Sequence, residues 1–227
     1  VLTVLIDPLS REQLRRSLPN TLSLLDELGF VEFERYTVVG NNSGPNQSAL
    51  YSGLPLLGGR DGISGSTSHG RTSRWLWDRF REEGYATLKG EDICIANSNM
   101  VQSMAPNTTH GEQLYRMFCF DFDRPNCLGG RMAAEHLVGY AEQFMRAYGN
   151  EDDDAADDVL GGRTPWAAFL SFVDSHEDTS TLVSYLDPLL LAFLQRVPLA
   201  ETVVVFLADH GLHYGPSYRS GAGLRER

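Results

Sequence analysis

Near the end of the chain, the apolar, β-branched run Thr202-Val203-Val204-Val205-Phe206-Leu207-Ala208 empties straight into Asp209-His210-Gly211. The run is too short for a buried helix and reads as an interior strand of a parallel sheet. Open α/β sheets bind ligands outside the C-terminal ends of their strands. A carboxylate and an imidazole delivered there suit a divalent metal. Gly211 permits a sharp exit turn that aims His213 back at the same spot. Taken alone, an Asp-His pair after a strand is more often a helix cap beside a surface histidine. A second strand ends in a similar way, however: Val1-Leu2-Thr3-Val4-Leu5-Ile6 runs into Asp7. Two apolar strands that end in metal-type donors at opposite ends of a chain are a much rarer coincidence than one.

Between them lie further short segments: Ile6-Asp7-Pro8-Leu9-Ser10-Arg11, Leu18-Pro19-Asn20-Thr21, Val39-Gly40-Asn41-Asn42-Ser43-Gly44-Pro45-Asn46, Glu83-Gly84-Tyr85-Ala86-Thr87-Leu88 and Ser175-His176-Glu177-Asp178. The order strand-Asp, then Ser-x-Pro-Asn, then strand-Asp-His-Gly resembles the alkaline-phosphatase/sulfatase superfamily. Within it, the chain is most similar to a eukaryotic sulfatase-like branch that is labelled a domain of unknown function. The matching segments span nearly the whole chain, in the family's order. The resemblance implies an α/β fold, with a largely parallel central sheet flanked by helices. It also implies one domain over residues 1–227 that lacks C-terminal elements of the larger catalytic domains in the superfamily.

Composition fits an ordinary globular domain. At 227 residues, 42% hydrophobic and 22% charged, the chain can bury one sizeable core. No apolar stretch approaches the roughly 20 residues of a membrane span. There is neither a signal peptide nor an initiator Met, so the sequence reads as an excerpt of a longer precursor. The net charge of −11 argues against nucleic acid, whose phosphates attract Lys and Arg. Much of the excess sits in 151–158, which lacks the alternating ligands and Gly of an EF-hand loop and reads as a solvated loop. Cys94, Cys119 and Cys127 are an odd number, with Cys119 and Cys127 flanking a short loop across which they could pair. Of three sequons, those at Asn41 and Asn46 overlap the expected active site, which leaves Asn107 as the glycan site. A secretory, luminal or extracellular setting follows.

The coarse pattern alternates helix and strand. Asn20 or Thr21 starts a helix ended by Gly29. Thr72 or Ser73 caps a helix that carries Trp75, Trp77 and Phe80, ended by Gly84 before a strand at Tyr85–Leu88. Residues 131–148 form a helix with Leu137, Ala141, Phe144 and Met145 inward. Trp166–Val173 is a strand, and Leu182–Leu194 is a helix feeding the last strand. The Gly/Ser-rich stretch Gly58–Gly70 is a loop near the expected site.

Ser43 precedes Pro45, a residue pre-set for a first helical turn. That places Ser43 at the positive end of a helix, where backbone N–H groups favour an anion. Such a serine is poorly reactive until metal coordination makes it an alkoxide, and otherwise it is an N-cap. By resemblance, the family's nucleophile position, usually Thr, falls on Ser43, and Asn46 helps to hold a substrate oxygen. Asp7, Ser43, Asp209 and His210 would hold one metal. His176 and His213 would hold a second metal or contact the substrate's charged group, with the completing acid unassigned. The implied cofactor is one or two divalent ions, Zn first, with Mn, Ca or Mg as alternatives. His69, His110 and His136 have no such placement, and His136 reads as a packed or surface residue.

Sulfatases convert a Cys or Ser to formylglycine within a Cys/Ser-x-Pro-x-Arg signature, and here Gln47 stands in place of the Arg. The expected activity is therefore a metal-dependent hydrolase or transferase of phosphate esters, acting on a small-molecule, glycan or lipid ester. A sulfatase and a non-catalytic binding module that kept the fold are the alternatives.

Overall fold

The computed structural model describes residues 1–53, 75–92, 108–111, 127–149, 164–177 and 179–213. In chain order its elements are β1 (Leu2–Ile6), α1 (Arg11–Ser17), α2 (Pro19–Glu27), α3 (Ser43–Ser52), α4 (Leu76–Glu82), β2 (Ala86–Glu91), β3 (His110–Gly111), β4 (Cys127–Leu128), β5 (Arg131–Met132), α5 (Ala133–Gly149), β6 (Trp166–Phe172), a 3₁₀ turn at Leu182–Tyr185, α6 (Leu186–Leu194) and β7 (Val204–Ala208). The main sheet has the order β3-β2-β6-β1-β7, and every pairing in it is parallel. β4 and β5 form a separate antiparallel ribbon.

Strand alternation sorts the side chains between two layers. One face carries Leu2, Val4, Ile6, Leu88, Ala168, Leu170 and Phe172, which pack with Leu137, Ala141 and Phe144 of α5 and Leu190 and Phe193 of α6. The other carries Leu5, Ala167 and Phe169 under Tyr51 of α3 and Trp77 of α4. β1, β2 and β6 are buried along their whole length, as strands covered on both faces must be. Gly90 marks the closest approach of helix to sheet: a Cβ there would lie 2.4 Å from Leu137 Cδ1. His110 belongs to the α5 side, its ring nitrogens 3.1 Å from the Tyr140 hydroxyl and 2.7 Å from that of Tyr148.

Several expectations change. Among the described residues β7 is not an interior strand. Among the described residues it pairs only with β1 and forms the sheet edge, with Val203 and Val205 exposed. A β-branched run satisfies an edge as well as a centre, so periodicity alone does not distinguish them. The Leu182–Leu194 helix opens as a 3₁₀ turn. Helix α1 is additional; Ser10 caps it, its Oγ accepting the Gln13 N–H at 3.1 Å. Helix α2 starts at Pro19, and Gly29 follows it at φ +73° as the turn requires. Among the described residues Cys127 is an exposed free thiol. Cys119, Cys94, Asn107, His69, Thr72, Ser73, the Gly58–Gly70 loop and the 151–158 acidic run lie outside the described residues.

Leu18 supplies no side-chain cap to α2. Asp187 does so from α6: Oδ1 accepts the Thr21 N–H at 2.8 Å, and Oδ2 accepts the Asn20 N–H at 3.2 Å and its Nδ2 at 2.8 Å. The carboxylate is buried and sits at the positive end of α2. Asp187→Ala strands three donors and is expected to lower the unfolding free energy by about 2–3 kcal/mol. Urea denaturation with an unchanged m-value measures it; a loss below about 0.5 kcal/mol would reduce Asp187 to an ordinary surface contact.

Candidate metal centre

Register alone sets the frame of the site. Ile6 of β1 pairs with Ala208 of β7, so the next residues, Asp7 and Asp209, emerge side by side at the C-terminal end of the sheet. The exits are tied down by backbone bonds: Asp7 N–H to Phe172 O at 2.8 Å, and Leu9 N–H to His210 O at 2.9 Å. His210 follows Asp209, whose Oδ1 accepts the His210 N–H at 3.0 Å. Asp7 and Asp209 are 0% and 1% exposed, and ligand atoms from Asp7, Asp209 and His210 all lie within 4.8 Å of one another.

Helix α3 brings the remaining side chains. Its N-cap is Asn42, not Ser43, so the Ser43 hydroxyl is not spent on capping. Ser43 Oγ donates to Asp7 Oδ2 at 2.8 Å and lies 3.1 Å from His210 Nε2. The other His210 nitrogen, Nδ1, is 2.8 Å from the Gly211 carbonyl. A carbonyl only accepts, so Nδ1 carries the proton and Nε2 presents its lone pair to the site. Asn46 faces a different way. Its Oδ1 accepts from Val39 and Gly40 N–H at 2.8 and 3.1 Å, and its Nδ2 donates to Gly40 O and Asn42 O at 2.9 and 2.8 Å. The amide is thus fully engaged by the loop that leads into α3. Gly40 lies so close to this turn that a Cβ would come within 2.4 Å of Pro45 Cγ.

Gln47 joins the site although the sequence marked it only as a departure from a signature. Its Nε2 donates to Asp209 Oδ2 at 2.8 Å and reaches Asp7 Oδ2 at 3.4 Å. The available signal was spacing: Gln47 is four residues after Ser43 and shares its helix face. Lys89 and Glu91, a buried ion pair at 3.2 Å on β2, were also missed. His213 stands beside His210 with ring centroids 4.7 Å apart, and His176 beside His213 at 6.1 Å. The three rings form a row, of which His176 is the most exposed. Among the described residues, His176 and His213 do not join an acid in a second compact ligand group; Asp7, Asp209 and His210 are the group that does.

The donor set fits a divalent cation. Two carboxylates are desolvated side by side, and among the described residues no Lys or Arg pairs with either. The buried Asp7 Oδ1 accepts no hydrogen bond and lies 3.5 Å from His210 Nε2. Burial pushes the Asp7 carboxyl up from 3.8 to about 7, opposed by the Ser43 hydrogen bond and assisted by the Glu91 charge. Burial, then the Asp7 charge, pushes Asp209 up to about 7 as well.

Both carboxyls therefore hold protons more tightly in the native state than in the unfolded chain. Between about pH 4 and 7 the native state keeps protons that the unfolded chain has released, so this contribution to stability is present below the window and is lost as pH rises through it. In chelator, the melting temperature should fall from pH 5 to pH 8, and Asp209→Asn should flatten that fall. Metal binding displaces the same protons, so the stabilisation by added Zn²⁺ or Mn²⁺ should grow over the same range. Thermal melts across pH check this; chelated wild type and Asp209→Asn with equal pH slopes would rule it out.

The fold has known counterparts. A protein in the alkaline phosphatase superfamily from Vibrio parahaemolyticus superposes with a TM-score of 0.61 at 20% identity, over 92% of this chain and 54% of that one. The C-terminal periplasmic domain of EcEptC from Escherichia coli superposes with a TM-score of 0.58 at 9% identity, over 96% of this chain and 65% of that domain. Its complex with Zn gives 0.56 at 10% identity, over 96% and 66%. The chain thus spans between half and two thirds of the length of these structures. No curated protein sequence matches it. The family described as Protein of unknown function (DUF229) matches residues 1–227, and the chain belongs to that family, with the fold of the alkaline phosphatase superfamily.

Proposed function

We propose that this chain is a metal-dependent hydrolase or transferase of phosphate esters that uses Ser43 as its nucleophile. The observation that carries the reading is the Ser43 hydroxyl, 2.8 Å from Asp7 Oδ2 and 3.1 Å from His210 Nε2, at the first turn of α3 and beside two desolvated carboxylates. Asp7, Asp209, His210 and Ser43 would hold a divalent ion, Zn²⁺ being the best match to one nitrogen and several oxygen donors. When bound, the ion supplies Lewis acidity to the hydroxyl and to the ester oxygens.

The protein groups do the rest. As the Ser43 Oγ–P bond forms and the bond from phosphorus to the leaving oxygen breaks, the hydroxyl proton passes to Asp7 Oδ2, its hydrogen-bond partner. The N-terminal turn of α3 presents backbone N–H groups to the anionic phosphoryl oxygens. His213 and His176, in a row with His210, bind the same charged group. His213, entering protonated, gives its proton to the leaving oxygen and regains one from the water or alcohol that next attacks, while Asp7 gives its proton back to Ser43. Water or an acceptor alcohol then attacks the phosphoserine. Hydrolysis or transfer depends on which enters.

Asn46 acts as a positioning residue, because its amide clamps the loop 39–42 against α3 rather than facing the nucleophile. Phosphate is favoured over sulfate because Gln47 replaces the Arg of the formylglycine signature and its amide is engaged by the carboxylates. The net charge of −11 favours a small-molecule, glycan or lipid ester over an anionic polymer. A luminal or extracellular setting accords with the periplasmic domain of the Escherichia coli protein.

Ser43→Ala should lower turnover of an aryl phosphate by about 10³-fold or more, as removal of a nucleophile does. Ser43→Thr should retain measurable activity, because its hydroxyl serves the same chemistry. Acid-quenched wild type should carry a phosphate on Ser43 by mass spectrometry. Full turnover by Ser43→Ala would place the nucleophile elsewhere; formylglycine at Ser43 together with aryl sulfate cleavage would replace this reading with a sulfatase.

A further inference from the structure

We propose that Gln47 is a positioning residue for the metal centre: a neutral amide that sets the spacing of the two carboxylates for a divalent cation. The inference rests on the metal-site reading above and adds a residue that lies outside the ligand set and that the sequence marked only as a departure from a signature. Gln47 is 2% exposed and projects from α3 one turn after Ser43. Its Nε2 donates to Asp209 Oδ2 at 2.8 Å and approaches Asp7 Oδ2 at 3.4 Å. Two acceptors on one side of the amide fix its orientation, since the amide oxygen placed there would meet two anions.

The four carboxylate oxygens then divide unequally. Asp7 Oδ2 takes the Ser43 hydroxyl and the weaker Gln47 contact, Asp209 Oδ1 takes the His210 backbone N–H, and Asp209 Oδ2 takes Gln47. Asp7 Oδ1 is left with no donor. The amide thus holds one oxygen of each carboxylate and leaves the orphan toward His210 Nε2, 3.5 Å away. Its neutrality matters as much as its reach. An ammonium or guanidinium at this position would cancel charge that two buried carboxylates otherwise offer to a dication. Outer-shell donors of this kind orient ligands, and their loss typically weakens metal binding about 10–100-fold.

The test is calorimetric titration of Zn²⁺, and separately Mn²⁺, into chelator-stripped full chain at a temperature well below the melting point. Gln47→Met keeps length and burial but removes both N–H groups. It should raise the metal dissociation constant about 10–100-fold while circular dichroism stays native. Gln47→Lys supplies a tethered cation in place of the free one and should abolish the rise in melting temperature on adding metal. If Gln47→Met fails to fold, the Gln47→Lys melt decides. Wild type that binds metal alongside a Gln47→Met affinity within about two-fold of it, or a Gln47→Lys melt that keeps the wild-type rise, overturns the role of Gln47 and leaves the metal centre standing. Wild type that binds neither metal overturns the metal-site reading itself.

Discussion

Two carboxylates of like charge, desolvated side by side, are the constraint around which the site is built. Left alone, such a pair is unfavourable: burial opposes each charge, and each charge opposes the other. The parallel register of β1 and β7 nevertheless forces Asp7 and Asp209 together, because the two strands end level and the chain has no freedom at that point to separate them. The surroundings answer with neutral donors rather than cations: a hydroxyl, an amide and a backbone N–H. The His210 imidazole directs its Nε2 lone pair inward. That pattern leaves negative charge uncompensated where a metal ion would compensate it.

Helix α3 divides its polar side chains by facing. Ser43 and Gln47, four residues apart, share the face toward the sheet end and meet the carboxylates. Asn46, three residues from Ser43, turns to the loop and fixes Val39, Gly40 and Asn42 by four hydrogen bonds. Asn42 takes the N-cap position, which leaves the Ser43 hydroxyl to the site. A serine consumed as a cap would point at the backbone amides of the next turn and not at Asp7. The shift of one residue between cap and first helical position therefore separates a structural serine from one that meets the carboxylates.

How much of this was legible in the sequence follows from which signals are local. The strand ends at Asp7 and Asp209 could be read because apolar runs stop abruptly at them, and the helix carrying Leu137, Ala141, Phe144 and Met145 because its apolar spacing is regular. The edge position of β7 was not legible, since burial of a strand depends on neighbours that its own residues do not encode. Nor was the capping of α2 by Asp187, a contact across 166 residues. Gln47 was legible only as an oddity. Its partners come from β1 and β7, and no periodicity in α3 distinguishes an amide facing carboxylates from one facing solvent. Asn46 shows the reverse: a motif position implied a substrate contact, whereas its geometry spends the whole amide on the loop.

The histidine row adds a physical asymmetry to the site. His210 is buried, its Nδ1 held by the Gly211 carbonyl and its Nε2 turned toward Ser43, 3.1 Å away. His213 stands beside it, ring centroids 4.7 Å apart, and His176, 6.1 Å from His213, is the exposed member of the row. Burial, and then the neighbouring His210, push the His176 ring below the usual histidine range, which favours its neutral form. A ring kept neutral in this way offers a lone pair rather than a charge, which suits a metal ion or a hydrogen-bond donor better than an anion.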